Sequence, residues 1–375
     1  MNSRERVLMA LNHEQPDRVP MDLGGRQTTL MIPAYEKLKE YLGFSDLPTE
    51  IMSHIWQTAY IDEKILRYFS IDCRHIRPKN KAFNPDRPFE AEEIFSDAWG
   101  VKRKISGGYA NHCGYPLQKA STLEEIEKYP WPDPEEEFDY AGLRDHAQKL
   151  YDQGEFALVG CIGSPCSTYE QAYYMRGLSE FLMDLVMHKD VAHAILGKVL
   201  AHRKRSVELY LSEVGEFIDV IQLADDLGTQ SNSIMSPDTY REMIKPYQAE
   251  LISHIKTMTN AKIYHHSCGS VVKLLDDMIE IGIEILNPVQ ATAVGMETDQ
   301  LKKRFGKNLT FWGAIDTFEV LPSGSVSDVQ NEVRKRIKDL SPGGGYVMGS
   351  VHNMQFDVPP ENVEAMFKTA LDVKI

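Results

Sequence analysis

Short β-rich runs alternate with longer helical stretches along most of the chain, and this alternation limits the fold more than any other feature. Eight apolar runs have the length and the flanking turn residues of strands, and they cover residues 19–23, 71–76, 156–161, 220–224, 262–266, 284–287, 309–313 and 346–350. Between them, segments with helical spacing include residues 178–210, 237–258, 271–281, 298–304, 326–340 and 360–371. A repeated strand and helix order predicts a parallel α/β fold.

The absence of a phosphate-binding motif helps to choose between the two common parallel α/β folds. No Gly-rich dinucleotide or P-loop motif follows any of the strands, which favours a (β/α)8 TIM barrel over a doubly wound sheet. The sequence has no internal repeat and no Gly/Ser linker, so we predict a single domain over residues 1–375. Residues 78–150 are richer in proline and charge and are expected to form an elaborated surface excursion.

Charge and apolar content exclude several classes of function. The 375 residues carry 41 Lys+Arg against 55 Asp+Glu, a formal net charge of −14, and this charge would repel a nucleic acid. No stretch approaches the roughly 20 apolar residues that span a bilayer, and the amino-terminal segment lacks the apolar core of a signal peptide. We therefore expect a cytoplasmic protein with neither nucleic-acid nor membrane partners.

The strongest chemical signal is the sequence YHHSCG at residues 264–269, where a predicted strand ends. In a barrel, catalytic side chains lie at the carboxyl ends of the strands. His266 and Cys268 are two residues apart, so in extended backbone they project to the same side, as two zinc ligands would. A buried cysteine beside a hydrogen-bonded histidine is the structural alternative.

A catalytic zinc usually takes three protein ligands, so a third donor should come from another strand end. No cysteine follows Cys268 in the sequence, and His352 comes directly after the last predicted strand. We predict His352 as the third ligand, with a histidine in a helix-capping turn as the alternative. The other cysteines, Cys73, Cys113, Cys161 and Cys166, have no metal-like spacing and are interpreted as packing residues, and no disulfide framework is expected.

Acidic residues follow two further strands. Asp225 and Asp226 end the run at 220–224, and Asp226 could bind the metal, orient a ligand, or act as a general acid or base. Both could instead cap the following turn. Glu170 follows the strand at 156–161 and could face the pocket from a first helical turn, the alternative being a solvated helix residue.

Arg26 lies in the sequence DLGGRQ at residues 22–27, after the first predicted strand. A guanidinium at this place could clamp a carboxylate or a phosphate. An ordinary surface arginine is the alternative interpretation.

Taken together, these motifs resemble the uroporphyrinogen decarboxylase superfamily over nearly the whole chain. The resemblance rests on RERVL at 4–8, PDRVP at 16–20, DAWGV at 97–101, YMRG at 174–177, FLMD at 181–184, SP at 236–237, KPY at 245–247, HSCG at 266–269, HN at 352–353 and VPPEN at 358–362. Members of this superfamily are (β/α)8 barrels, which agrees with the alternation of strands and helices. The resemblance also implies a homodimer.

One branch of the superfamily consists of the decarboxylases themselves. They use no metal and bind the carboxylates of a tetrapyrrole through an arginine-rich amino-terminal loop, with an essential aspartate in a Phe-Ser-Asp segment. Here Arg26 is the only arginine of the matching loop, and the FSD at 95–97 leads into a Trp-Gly pair. These departures argue against decarboxylation.

The other branch consists of zinc-dependent, corrinoid-linked methyltransferases, which include O-demethylase components. In the coenzyme M enzymes of this branch a His-x-Cys pair and a distant cysteine hold the zinc. This chain keeps the pair as His266 and Cys268, and His352 stands where the distant cysteine would be. Replacing a thiolate by a neutral imidazole leaves the site one unit more positive, which suits polarising an ether oxygen better than activating a thiol.

We therefore predict a metal-dependent methyltransferase that moves a methyl group from a small substrate, favoured to be an aryl methyl ether, to the cobalt of a partner corrinoid protein. Zinc on His266, Cys268 and His352 is expected to bind the substrate oxygen. Asp226 would orient a ligand or a water, and Glu170 would fill the fourth position when substrate is absent. Arg26 and Gln230 are expected to position the substrate.

Three alternatives stay open. The first is transfer from a methylated corrinoid to tetrahydrofolate or a thiol, and the second is uroporphyrinogen decarboxylase activity. The third is a barrel that binds a corrinoid without catalysis.

Overall fold

The predicted parallel strands form one curled sheet. The computed structural model describes residues 1–81, 92–162 and 167–375. Its strands there are β1 (Ile51–Ser53), β2 (Thr58–Ala59), β3 (Cys73–Ile76), β4 (Lys79–Asn80), β5 (Ile94–Ser96), β6 (Lys102–Ser106), β7 (Tyr109–Gly114), β8 (Phe138–Asp139), β9 (Ala157–Cys161), β10 (Val220–Ala224), β11 (Lys262–His266), β12 (Ile285–Asn287), β13 (Thr310–Ile315) and β14 (Tyr346–Ser350). Seven of them pair in parallel in the order β14-β13-β12-β11-β10-β9-β3. Strands β10, β11 and β14 match their predicted bounds residue for residue.

Residues 19–23 lie between the two edge strands of this sheet. The Asp22 N–H donates to the Met348 carbonyl of β14 at 2.9 Å, and the Asp72 N–H, just before β3, donates to the Met21 carbonyl at 2.9 Å. The segment makes only one isolated parallel bridge to β14, between Met21 and Met348, and does not form a regular strand. It nevertheless takes the eighth position of the barrel, which confirms the predicted (β/α)8 class.

Helices surround the sheet: α1 (Ser3–Leu11), α2 (Ile32–Tyr41), α3 (Glu63–Tyr68), α4 (Leu123–Glu127), α5 (Pro134–Glu137), α6 (Leu143–Gln153), α7 (Tyr169–Arg176), α8 (Leu178–Met187), α9 (Lys189–Val214), α10 (Pro237–Thr239), α11 (Lys245–Lys256), α12 (Leu275–Glu280), α13 (Thr298–Phe305), α14 (Val320–Ser323), α15 (Val326–Leu340) and α16 (Pro360–Asp372). Helices α13, α15 and α16 follow their predicted segments to within one residue, whereas α12 covers only the middle of its segment. Within the described ranges, no helix is long and apolar enough to cross a membrane.

Two long helices predicted from periodicity are interrupted. The segment 178–210 breaks at His188, whose backbone leaves the helical region (φ −134°, ψ 56°), and α8 then packs back on α9. The segment 237–258 contains a π-helical turn at Tyr240–Ile244. Pro246 follows this turn and has no N–H to donate to a carbonyl four residues back, so the widened turn accommodates it.

Residues 78–150, predicted to form a surface excursion, pack partly into the barrel itself. Strands β5, β6 and β7 form a small antiparallel sheet, and β4 pairs with β8. Trp99 and Val101 are nevertheless buried in the main core, and α6 packs against β9 and α9 as a barrel helix does. Residues 82–91 of this segment lie outside the described ranges.

The amino end of the barrel is plugged. Val7 and Leu11 of α1 belong to one apolar cluster with the interior side chains Tyr264 and Trp312, whose rings are 5.5 Å apart. Because α1 covers this end, a ligand would enter from the carboxyl ends of the strands.

A buried ion cluster fastens α1 and residues 19–23 to β3. The Asp72 carboxylate is fully buried, and its two oxygens lie 2.7 Å from nitrogens of Arg6 and Arg18. It also accepts a hydrogen bond from the Met21 N–H at 2.8 Å. Two arginines therefore share one carboxylate at the place where α1 and residues 19–23 meet β3.

Asp72→Asn is expected to lower the free energy of unfolding by roughly 3–5 kcal/mol, because it removes the fully buried counter-charge that Arg6 and Arg18 share. Asp17→Asn is the matched control, since Asp17 also pairs with Arg6 but its side chain is 45% exposed. Exposed pairs contribute at most about 1 kcal/mol. Chemical denaturation measures both variants, and equal losses would contradict the importance assigned to Asp72.

Candidate metal centre

The three predicted ligands come together at the carboxyl end of the barrel. His266 ends β11, Cys268 lies two residues beyond, and His352 follows β14. One ligand atom of each residue lies within 4.8 Å of the other two, and Cys268 Sγ is 3.4 Å from His266 Nε2. Ligand atoms of a tetrahedral zinc with bonds of about 2.0–2.3 Å are separated by roughly 3.3–3.6 Å. The separation between Cys268 and His266 fits this range, and two imidazoles with one thiol are donors that suit zinc.

The hydrogen bond behind His266 determines which ring nitrogen faces the cluster. The Asn287 Nδ2 donates to the Trp312 carbonyl at 3.0 Å, so the amide oxygen points to His266 Nδ1, 2.5 Å away. An amide oxygen only accepts, which places the imidazole proton on Nδ1 and leaves the Nε2 lone pair free for a metal. Asn287 was not predicted, although a polar residue at the end of a buried strand could have indicated it.

Burial keeps both imidazoles neutral and the thiol protonated in the absence of a cation. Burial lowers the pKa of His266 and of His352 to about 4 in each case, so both are neutral at pH 7. Burial and the neighbouring Asp226 and Glu170 carboxyls raise the pKa of the Cys268 thiol well above its usual range. A metal that binds here must therefore displace the proton of Cys268.

Asp225 and Asp226 serve different purposes, although they are adjacent. Asp225 is buried and accepts hydrogen bonds from the Glu170 N–H at 2.8 Å, from the Thr168 N–H at 3.2 Å and from Gln248 at 2.8 Å. It thus holds the start of α7 rather than the turn after its own strand. Burial raises its pKa to about 6.

Asp226 faces the metal ligands. Its Oδ1 accepts from the Cys268 N–H at 2.7 Å and lies 3.9 Å from His266 Nε2. Its side chain is 40% exposed to the barrel mouth, yet the surrounding protein still raises the pKa of the carboxyl. Of the two residues, only Asp226 is placed to orient a ligand.

Glu170 points into the same space from the first turn of α7. Its Oε1 accepts from the Tyr174 hydroxyl at 2.7 Å and from the Tyr173 hydroxyl at 3.3 Å. Burial, with Asp226 and Asp225 nearby, raises the pKa of Glu170 to about 8. At neutral pH this carboxyl is therefore mostly protonated when no cation is present. Cys166 lies outside the described residues.

A small cavity of ≈ 40 Å³ connects these groups. Its walls are Arg26, Gln27, Trp56, Glu170, Tyr174, Ala224, Asp226, His266, His352 and Asn353. A larger chamber of ≈ 420 Å³ shares Arg26, Trp56 and Tyr174 with it. His266 and His352, two of the three predicted ligands, thus line a narrow recess beside a space large enough for a small molecule.

The loop that carries Arg26 is tied to the segment that carries His352. The Thr29 N–H donates to Asn353 Oδ1 at 3.1 Å. A Cβ on Gly25 would lie 2.5 Å from Thr28 Oγ1, so only glycine permits this packing. Burial lowers the pKa of Arg26. Like Asn287, Asn353 was not predicted from the sequence.

For Gln230 and Cys113, the structure differs from the interpretation of the sequence. Gln230 is exposed, and its amide donates to the Thr292 carbonyl at 2.5 Å and accepts from Gln290 at 3.0 Å. These bonds tie two rim loops together and do not bring Gln230 to the ligand cluster. Cys73 and Cys161 are buried as expected, whereas Cys113 is exposed and is not a packing residue.

Comparisons with known proteins agree with the resemblance inferred from the motifs. The family described as uroporphyrinogen decarboxylase matches residues 97–373. The uroporphyrinogen decarboxylase of Alkalilimnicola ehrlichii is 23% identical over 96% of this chain and 92% of its own, and that of Trichodesmium erythraeum is 26% identical over 78% and 79%. A solved methyltransferase from Methanosarcina mazei shares the fold, with a TM-score of 0.64, 16% identity and 99% coverage of both chains.

Asn287→Leu is expected to weaken zinc binding about 10- to 100-fold, because it removes the acceptor that fixes the His266 tautomer. Competition with a chromogenic chelator measures the affinity. Gln230→Ala is the control and should bind zinc as the wild type does. Unchanged affinity in Asn287→Leu would contradict the orienting role.

Proposed function

This chain belongs to the uroporphyrinogen decarboxylase family, and on that premise we propose that it is a metal-dependent methyltransferase. It would move a methyl group from a small methylated substrate, favoured to be an aryl methyl ether, to the cobalt of a partner corrinoid protein. The observation that carries the proposal is the convergence of His266, Cys268 and His352 within 4.8 Å. Two imidazoles and one thiol are the donors that zinc prefers.

The charge of this donor set supports an oxygen substrate. One thiolate and two neutral imidazoles leave a zinc site with a net charge of about +1, whereas a second thiolate would neutralise it. A zinc ion held there would supply Lewis acidity toward the ether oxygen. The positive site favours a leaving group that becomes negative as the reaction proceeds.

In the proposed reaction the bond between the ether oxygen and the methyl carbon breaks. The methyl carbon bonds to cobalt(I) of the partner, which supplies both electrons of the new bond. The oxygen leaves with the electron pair of the broken bond and takes up a proton. Glu170 lines the recess together with His266 and His352, so its carboxyl is the proposed donor of this proton.

The remaining residues position these groups. Asp226 accepts from the Cys268 N–H and thereby fixes the loop after β11. Glu170 is also proposed to fill the fourth ligand position when substrate is absent. Arg26 lines both cavities and would orient the substrate between them.

Decarboxylation is the second candidate, because the relatives described above are named uroporphyrinogen decarboxylases. A barrel that decarboxylates without a metal has no need for a thiol grouped with the imidazoles of His266 and His352. Uroporphyrinogen turnover by the purified protein, with no dependence on Cys268, would favour this candidate.

Metal content tests the site directly. Protein purified without an affinity tag is expected to contain about one zinc per chain, and His266→Ala, Cys268→Ala and His352→Ala should each lose it. Cys113→Ala removes an exposed thiol and should keep the metal. Elemental analysis with circular dichroism as a folding check gives the answer. Metal-free wild type, or full occupancy in His352→Ala, would remove the proposed triad.

Methyl transfer tests the reaction. With a methoxylated aromatic and chemically reduced cob(I)alamin in place of the partner, the cobalt(I) absorbance should convert to that of methylcobalamin. Glu170→Gln is expected to keep its zinc and to slow this conversion about 10²- to 10⁴-fold, as removal of a general acid does. A Glu170→Gln variant with wild-type rate would exclude Glu170 as the proton donor.

A further inference from the structure

The buried residue Asp225 connects two parts of the candidate site. Its backbone N–H donates to the carbonyl of His266, at the end of β11, at 3.0 Å. Its Oδ1 accepts from the N–H of Glu170, in the first turn of α7, at 2.8 Å. The position of Glu170 relative to His266 therefore depends on how the Asp225 carboxylate is held.

The start of α7 has no cap from its own side chain. Thr168 occupies the N-cap position, but its side chain makes no hydrogen bond to the first turn. The Thr168 hydroxyl donates instead to Asp225 Oδ2 at 3.1 Å. The first N–H groups of a helix have no acceptor within the helix, so the Asp225 carboxylate serves as the cap of the helix that carries Glu170.

Gln248 of α11 also binds this carboxylate. Its Nε2 donates to Asp225 Oδ2 at 2.8 Å, and the residue is only 4% exposed. An ionised carboxylate only accepts hydrogen bonds, so the amide must turn its NH2 group toward Asp225 and its oxygen away. A reversed amide would bring two acceptors into contact.

The hydroxyl of Tyr240 fixes the orientation of this amide. Tyr240 is fully buried, and its hydroxyl donates to Gln248 Oε1 at 2.7 Å. All the hydrogen bonds of the series therefore run in one direction, from Tyr240 through Gln248 to Asp225. Without the hydroxyl, nothing at the Oε1 end would keep the amide from turning over.

The π-helical turn at Tyr240–Ile244 helps to bring the two side chains together. In a regular α-helix, residues eight positions apart are separated by about 12 Å along the axis and by roughly 80° around it. A π turn contains more residues than an α turn, which brings Tyr240 round toward the face of Gln248. Such turns are frequent at functional sites.

Neither Tyr240 nor Gln248 is among the described residues that line the recess or the larger chamber. Both are polar groups buried beneath the start of α7, where each needs a partner of the correct kind. Their influence on the recess must therefore pass through Asp225.

We propose that Tyr240 and Gln248 are positioning residues, which together with Asp225 form a network that sets the place of the Glu170 carboxyl relative to the predicted metal ligands. This inference rests on the proposed function for the chemistry that Glu170 performs. The position of Glu170 itself can be measured in protein without metal.

Amide hydrogen exchange of the metal-free protein tests the network. Gln248→Met keeps nearly the same side-chain length without a donor, and we expect it to speed exchange of the Glu170 N–H at least about 10-fold, because the Asp225 carboxylate that accepts from it is no longer held. Tyr240→Phe should act in the same direction. It should add nothing in a Gln248→Met background, since it acts only through that amide.

Tyr346→Phe is the matched control. The Tyr346 hydroxyl is also buried and donates to the Gly313 carbonyl at 2.8 Å, but it lies on β14 and bonds only to β13. This variant loses a comparable hydrogen bond and should leave the exchange of the Glu170 N–H unchanged.

Cobalt(II) bound in place of zinc gives a second measurement, since its visible absorption depends on which groups are its ligands. If Glu170 fills the fourth position, Glu170→Gln should shift the bands. Gln248→Met and Tyr240→Phe are expected to shift them in the same direction, whereas Tyr346→Phe should keep the wild-type spectrum. A loss of stability alone would not move the bands.

Three outcomes would overturn the proposal: unchanged Glu170 exchange in Gln248→Met, an equal acceleration in Tyr346→Phe, or cobalt bands that respond to Glu170→Gln but not to Gln248→Met. If Gln248→Met does not fold, Tyr240→Phe, which removes a single hydroxyl, decides the question by the same two measurements.

The two measurements also separate this inference from the proposed function. Faster Glu170 exchange in Gln248→Met, in a protein that binds neither zinc nor cobalt, would keep the network and remove the metal site. Cobalt binding and methyl transfer, with Glu170 exchange unaffected by Gln248→Met and Tyr240→Phe, would keep the proposed function and remove the network.

Discussion

The candidate site depends on how the barrel closes. Residues 19–23 bond to β14 on one side and to the residue before β3 on the other, which brings the first and last parts of the chain together. Asp22, at this junction, lies 2.8 Å from His75 and accepts from Thr28 and from the Trp312 indole. The loop that carries Arg26 and the segment that carries His352 both begin at this junction. Without closure of the barrel, His352 would therefore not face His266 and Cys268.

The protonation states of the acidic groups around the recess depend on their burial and on one another. Glu170, Asp225 and Asp226 lie close together, and burial raises the pKa of each. Neutral imidazoles and a protonated thiol face them. Such a set is costly to bury when it holds no cation, and a divalent ion relieves it, because it favours the ionised carboxylates and the thiolate together. In the proposed metal site, the same groups that disfavour ionisation without a cation would serve as ligands and as partners of the ligands.

The sequence was sufficient for the framework and for the convergence of His266, Cys268 and His352, since strand ends are recognisable by pattern and carboxyl ends converge in a barrel. It was insufficient where partners are distant in sequence. Asn287 and Asn353 act through hydrogen bonds to His266 and Thr29, and no local spacing indicates such pairs. The role of Gln230 at the substrate stays a prediction, and its observed hydrogen bonds go to a neighbouring loop.

Asp225 fixes the start of α7 from a neighbouring strand, through the backbone of Thr168 and Glu170. The position of Glu170 is therefore set from the end of β10. Asp225 itself does not line the recess, so a substitution there would displace the Glu170 carboxyl from a distance and reshape the recess without changing any residue of its wall.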